Sequence, residues 1–97
     1  PNISLDLIEK YLNKESMELI DKFIEELNQY SWSDEEVNDQ LKAFVKKEGI
    51  KFPVIAMPLR VILAGTDHTP SVGSIMAILG KNEVIKRLNS FKNQYDF

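Results

Sequence analysis

Apolar residues return every three or four positions along almost the whole chain, which is the spacing of helices with one buried face. Leu5, Ile8 and Leu12 outline a short first helix. Met17, Ile20, Phe23, Ile24 and Leu27 outline a wider stripe on a second helix, which is expected to start at an N-cap on Ser16 with Glu18 in its first turn. Tyr30-Ser31-Trp32-Ser33 then interrupts the pattern. Ser33 and Glu36 have the spacing of a capping box, and Asp34 and Glu35 suit the positive end of a helix dipole. Val37, Leu41, Phe44 and Val45 follow at helical spacing, Lys46 and Lys47 suit a last turn, and Gly49 suits the residue beyond it. A third helix is therefore predicted over 33–48.

Residues 50–66 are less clear. Val54–Met57 and Leu59–Ala64 are apolar runs that read equally well as buried strands. Two strands with no others in the chain would form an isolated pair, so helix is the preferred reading. Pro53 fits the first turn of that helix, Pro58 is expected to kink it or split it in two, and Gly65 to end it. Thr66-Asp67-His68-Thr69-Pro70 is a polar turn. Ser71 is placed to cap a fifth helix carrying Val72, Ile75, Met76 and Leu79 and stopped by Gly80. A sixth carries Val84, Leu88, Phe91 and Tyr95. The expected fold is a compact, multi-helical, all-α bundle, one domain over 1–97.

Composition narrows the functional classes. The 97 residues suit one small domain, and 43% apolar content argues against wholesale disorder. No apolar run approaches the roughly 20 residues of a membrane span, so no membrane partner is expected. With no Cys, disulfide scaffolds, thiol catalysis and thiolate metal sites are excluded. The chain opens on Pro1 rather than Met, which fits a piece of a longer protein. The net charge of −3 argues against a DNA binder held by many phosphates. That charge is uneven: residues 1–50 carry −6 and residues 51–97 carry +3, with both arginines, Arg60 and Arg87, in the second half.

Catalytic chemistry has little to stand on. Asp67, His68, Thr69 and Ser71 are the residue types of a hydrolase triad, but neighbours this close in a turn point in different directions. Asp34-Glu35-Glu36 is explained by a helix start, and the glycines are too dispersed for a phosphate cradle. A binding surface remains. Arg60 interrupts an apolar run, so its guanidinium must reach water, an acid or a ligand. Pairing with a local Asp or Glu is the simplest of these. The turn 66–70 offers hydroxyls, His68 and backbone N–H groups to a polar ligand, or serves only as an interhelical loop. Trp32 and Tyr30 are expected to pack at a helix junction rather than to stack on bases.

Met57-Pro58-Leu59-Arg60-Val61-Ile62-Leu63-Ala64-Gly65, then His68-Thr69-Pro70-Ser71-Val72, Ile78-Leu79-Gly80-Lys81 and Arg87-Leu88, form an ordered series. It resembles the C-terminal anticodon-binding domain of bacterial-type glutamyl-tRNA synthetases. Trp32, the acidic helix start and Lys46-Lys47-Glu48-Gly49-Ile50-Lys51 also fit, so the resemblance covers about 30–97, with 1–29 as leading helices. It departs from the family pattern at Phe52-Pro53, where Gly or Lys is common, and at Ala64, where Thr often stands.

The resemblance implies an all-α anticodon-binding domain of a class I aminoacyl-tRNA synthetase. The parent would be a cytoplasmic glutamate–tRNA ligase using ATP and Mg²⁺, with its catalytic site and cofactors outside this chain. The implied partners are the anticodon loop of glutamate tRNA and the rest of the synthetase, with no DNA. The implied anticodon contacts are Arg60, Thr69, Pro70 and Val72. An Arg fork suits base acceptors, and Pro and Val can lie on a base face. The competing reading is an all-α protein-interaction or regulatory domain with no RNA role. A small hydrolase centred on His68 is the third.

Overall fold

The computed structural model describes residues 3–29, 31–68 and 70–97. It contains six helices: α1 (Leu5–Tyr11), α2 (Lys14–Leu27), α3 (Asp34–Glu48), α4 (Phe52–Ala64), α5 (Val72–Leu79) and α6 (Lys81–Gln94). No strand occurs among the described residues, so both apolar runs of 50–66 are helical.

The ambiguity of that segment has a physical cause. α4 packs against each of the other five helices. It buries Ile55, Ala56, Pro58, Leu59, Val61, Ile62 and Leu63, which lie most of the way round its circumference. A helix buried this widely loses the one-sided periodicity that identifies a surface helix. Pro58 neither ends nor divides it: one helix runs from Phe52 to Ala64. Proline removes the bond to the carbonyl four residues back, here that of Val54, a residue 45% exposed. The proline ring itself is buried in the core, which favours keeping the helix whole. Pro53 lies in the first turn and Gly65 ends the helix at φ +72°, both as expected.

The start of α2 corrects the sequence expectation. Asn13, not Ser16, is the N-cap. The Ser16 N–H donates to Asn13 Oδ1 at 2.8 Å, and the Asn13 N–H donates to Ser16 Oγ at 2.9 Å. This is a capping box built on Asn and Ser, with Ser16 in the third helical position and 5% exposed. Asn caps as well as Ser does, so the earlier polar residue takes the role. α1 also differs. Ile8 and Leu12 are buried, but Leu5 is 67% exposed, and Leu12 lies just past the helix end.

α3 follows its pattern. The Glu36 N–H donates to Ser33 Oγ at 3.2 Å, three acids occupy the first turn, and Gly49 closes the helix at φ +68°. There the Ile50 N–H reaches back to the Val45 carbonyl at 3.1 Å. α2 and α3 meet through Phe23 and Phe44, whose ring centroids are 5.5 Å apart. Outside these rings the ion pairs Lys22–Glu48 and Lys47–Glu26 link the two helices. In α6, Val84, Leu88 and Phe91 are buried, and Tyr95, one residue past the helix, packs on Phe91. Trp32 is half-buried against the core, as expected, while Tyr30 lies outside the described residues.

Candidate functional site

α4 is largely enclosed, but one strip of it stays accessible. Pro53, Val54 and Ala64 are exposed, and Met57 and Arg60 are half-buried. Steps of three and four residues from 53 or 54 through 57 and 60 to 64 set them along one side of the helix. Arg60 is the charged group in this otherwise apolar strip, about 6 Å along the axis from the last helical residue.

Its guanidinium is poorly satisfied. Nη1 donates to Met57 Sδ at 3.1 Å, and a thioether is a weak acceptor. Nε is buried with no hydrogen-bond partner. Among the described residues no carboxylate forms an ion pair with Arg60, so the expected pairing with a local acid does not occur. Arg87, by contrast, has two oxygen acceptors: Nε donates to Glu83 Oε2 at 2.8 Å and Nη1 donates to the Leu63 carbonyl at 2.6 Å. That second bond satisfies one of the free carbonyls at the C-terminal end of α4. The Arg87 guanidinium holds the Glu83 carboxyl below the usual carboxylate range, chiefly through the hydrogen bond.

The chain then turns. Gly65 takes the left-handed conformation, and the His68 N–H donates to Thr66 Oγ1 at 3.1 Å. Asp67 is drawn inward, with its side chain 18% exposed, whereas that of His68 is 93% exposed. Tyr11, at the end of α1, donates its hydroxyl to Asp67 Oδ2 at 3.1 Å. His68 Nε2 lies 3.3 Å from Asp67 Oδ1. Beyond the turn, Ser71 caps α5 by accepting from the Ser74 N–H at 3.2 Å. Ser74 Oγ donates to Asp34 Oδ2 at 2.8 Å, and Asn38 Nδ2 donates to Asp34 Oδ1 at 2.7 Å. The first turns of α3 and α5 are thereby joined. Gly73 is buried at this junction, and a methyl group there would collide with the Asn38 side-chain amide.

Of the four sequence-predicted contact residues, Arg60 lies on the accessible strip and Pro70 is exposed in the turn. Val72 is 1% exposed and belongs to the core, so its side chain offers no open face and only its backbone borders the turn. Thr69 lies outside the described residues. Among the described residues of the hydrolase reading, His68 faces Asp67, while Ser71 is hydrogen-bonded to Ser74 rather than to His68. Sequence reasoning missed Tyr11, and it read Asp67 only as a turn or triad residue and Asp34 only as part of a helix start. Tyr11 and Asp67 are 56 positions apart, and Ser74 and Asp34 are 40 apart, so no local signal marks them. Glu83–Arg87, four residues apart on one helix, has a spacing that local sequence can show, but the sequence reading did not single out the pair.

Comparison with known proteins places this geometry. The chain is 39% identical over 90 residues to the glutamate–tRNA ligase of Methylobacillus flagellatus, covering 93% of this chain and 19% of that one. It is 38% identical over 82 residues to the glutamate–tRNA ligase of Chromobacterium violaceum, covering 84% and 18%. Its fold superposes on a crystal structure of a glutamate tRNA ligase from Elizabethkingia meningosepticum in complex with its amino acid. The TM-score is 0.89, with 22% identity over 98% of this chain and 19% of that one. The chain thus spans about a fifth of the length of the curated relatives it matches. A family model described as an anticodon binding domain matches residues 2–92, including the two leading helices. With all six helices inside or overlapping that match, the chain belongs to the anticodon-binding domain family.

Proposed function

We propose that this chain reads the anticodon of glutamate tRNA as the C-terminal domain of a glutamate–tRNA ligase, which joins glutamate to its tRNA in the cytoplasm. The observation that carries the reading is Arg60. A half-buried guanidinium that has a thioether as its hydrogen-bond partner and no ion-paired acid keeps donors for an acceptor from outside. Unpaired bases in an RNA loop present such acceptors on their edges. The apolar strip of α4 and Pro70 supply flat surface next to it. Val72 contributes as a core residue that fixes the start of α5 beneath the turn. Thr69, outside the described residues, enters the reading by its residue type alone, as a hydroxyl donor or acceptor to a base.

ATP and Mg²⁺ belong elsewhere in such an enzyme. Among the described residues no group of three or more His, Cys, Asp and Glu side chains is placed to hold a metal ion. Among the described residues no helix is long and apolar enough to cross a membrane.

The test is binding of the chain to a hairpin RNA with the glutamate anticodon in its loop, against one with a changed anticodon base. The cognate hairpin should bind more tightly at moderate salt. Arg60→Ala should weaken it by about 1–3 kcal/mol, the range for one bidentate base contact. Equal binding of both hairpins, or an Arg60→Ala variant that binds as the parent does, refutes the reading. Failure to bind RNA at any salt, with a protein partner recovered instead, would favour the interaction-domain alternative.

A further inference from the structure

The proposed recognition turn is held locally and from a distance in different ways. Its local bonds, Gly65 N–H to the Val61 carbonyl and His68 N–H to Thr66 Oγ1, span two to four residues. Such bonds shape the turn but do not fix it to the body of the protein. The flanks are fixed: Arg87 holds the Leu63 carbonyl before the turn, and Asp34 holds Ser74 after it. Between those flanks, among the described residues, the long-range hydrogen bond within 65–68 is Tyr11 to Asp67.

Tyr11 is well suited to that task. Its ring is half-buried against the core, so the hydroxyl is set in place by packing. The Lys10 ammonium lies 5.2 Å from the centre of the same ring. Asp67 uses both carboxylate oxygens, one on Tyr11 and one toward His68, and is turned inward while its neighbour is not.

We propose that Tyr11 is a positioning residue for anticodon recognition, acting through Asp67 to set turn residues 66–68 relative to Arg60. The inference rests on the anticodon reading above. It brings α1 into the functional unit.

The test compares Tyr11→Phe, Asp67→Ala and Asp67→Asn with the unaltered chain. Amide hydrogen exchange reads the turn without RNA, and the hairpin pair reads discrimination. Tyr11→Phe keeps the ring and removes only the donor. It should speed exchange at residues 66–68 by roughly three- to tenfold, the range one net hydrogen bond supplies. The affinity ratio between cognate and changed hairpins should fall by a similar factor. Asp67→Ala should behave alike. Asp67→Asn, whose amide oxygen still accepts from the Tyr11 hydroxyl, should stay close to the unaltered chain. Unchanged exchange in the turn of Tyr11→Phe overturns the proposal. So does a uniform fall in stability with the hairpin ratio preserved. If the unaltered chain does not distinguish the hairpins, the recognition reading is overturned, and exchange alone then decides whether Tyr11 holds the turn.

Discussion

Gly73→Ala separates helix propensity from tertiary packing at the site where α3 and α5 meet. In an open helix the change would stabilise by roughly 0.5–1 kcal/mol, because alanine loses less backbone freedom on folding. Here the added methyl lands on Cγ, Nδ2 and Oδ1 of Asn38. Those atoms end a short side chain that is itself committed, through Nδ2, to Asp34. To make room, Asn38 must rotate away and give up that bond, a loss of about 0.5–1.5 kcal/mol. Residual overpacking adds about 1–3 kcal/mol. The net is a destabilisation of about 1–3 kcal/mol, which for a chain of this length lowers the melting temperature by roughly 4–24 °C. Urea and thermal denaturation followed by circular dichroism measure it. The discriminating experiment is the double-mutant cycle with Asn38→Ala, which removes all three obstructing atoms. In that background Gly73→Ala should become neutral or mildly stabilising. A single Gly73→Ala variant that melts at or above the parent refutes the reasoning, as does an equal penalty in both backgrounds.

Asn13→Ala should destabilise the chain by about 1 kcal/mol through loss of the α2 cap, with Ser16→Ala producing a smaller but overlapping loss because the two form one box. Additive losses in the double variant would count against the reciprocal geometry. The Glu83–Arg87 pair sets an acid limit. Glu83 has a lowered folded-state pKa, so its stabilisation is present above the unfolded value near 4.3 and is lost as pH falls through the folded value. Glu83→Gln should flatten the acid limb of stability against pH below about 4.3. An identical acid limb would show that the pair does not contribute there. Lys47, raised by its bond to Glu26, has the opposite sign. Its contribution persists below the unfolded value near 10.4 and is lost as pH rises through the folded one.

Much of the fold was legible because local chemistry and global packing agree. Ser33, the acids behind it and Gly49 mark the ends of α3 where the structure has them. Ser71 and Gly80 do the same for α5. Legibility failed where two signals competed or where burial removed one. At the start of α2 two good capping residues stood three apart, and sequence order alone does not rank them. In α4 burial on nearly all sides erased the periodicity, and a proline that normally breaks helices sits within one. Leu5 matched the apolar stripe of α1, yet it lies on the exposed side.

The site divides along the same line. Arg60 was identifiable from sequence because a charge inside an apolar run needs an explanation whatever the fold. That it lacks an acid partner was decided by the tertiary structure, since helical spacing alone left pairing with a neighbour open. Val72 shows the reverse: beside an exposed Pro70, its place in the core depends on how α5 packs. The links from Tyr11 to Asp67 and from Ser74 to Asp34 join residues 56 and 40 positions apart. Sequence periodicity reports only what neighbours within a turn or two must share. The helices, most of their ends and the odd arginine were therefore set by sequence. The clamps around the turn exist because five helices converge on α4.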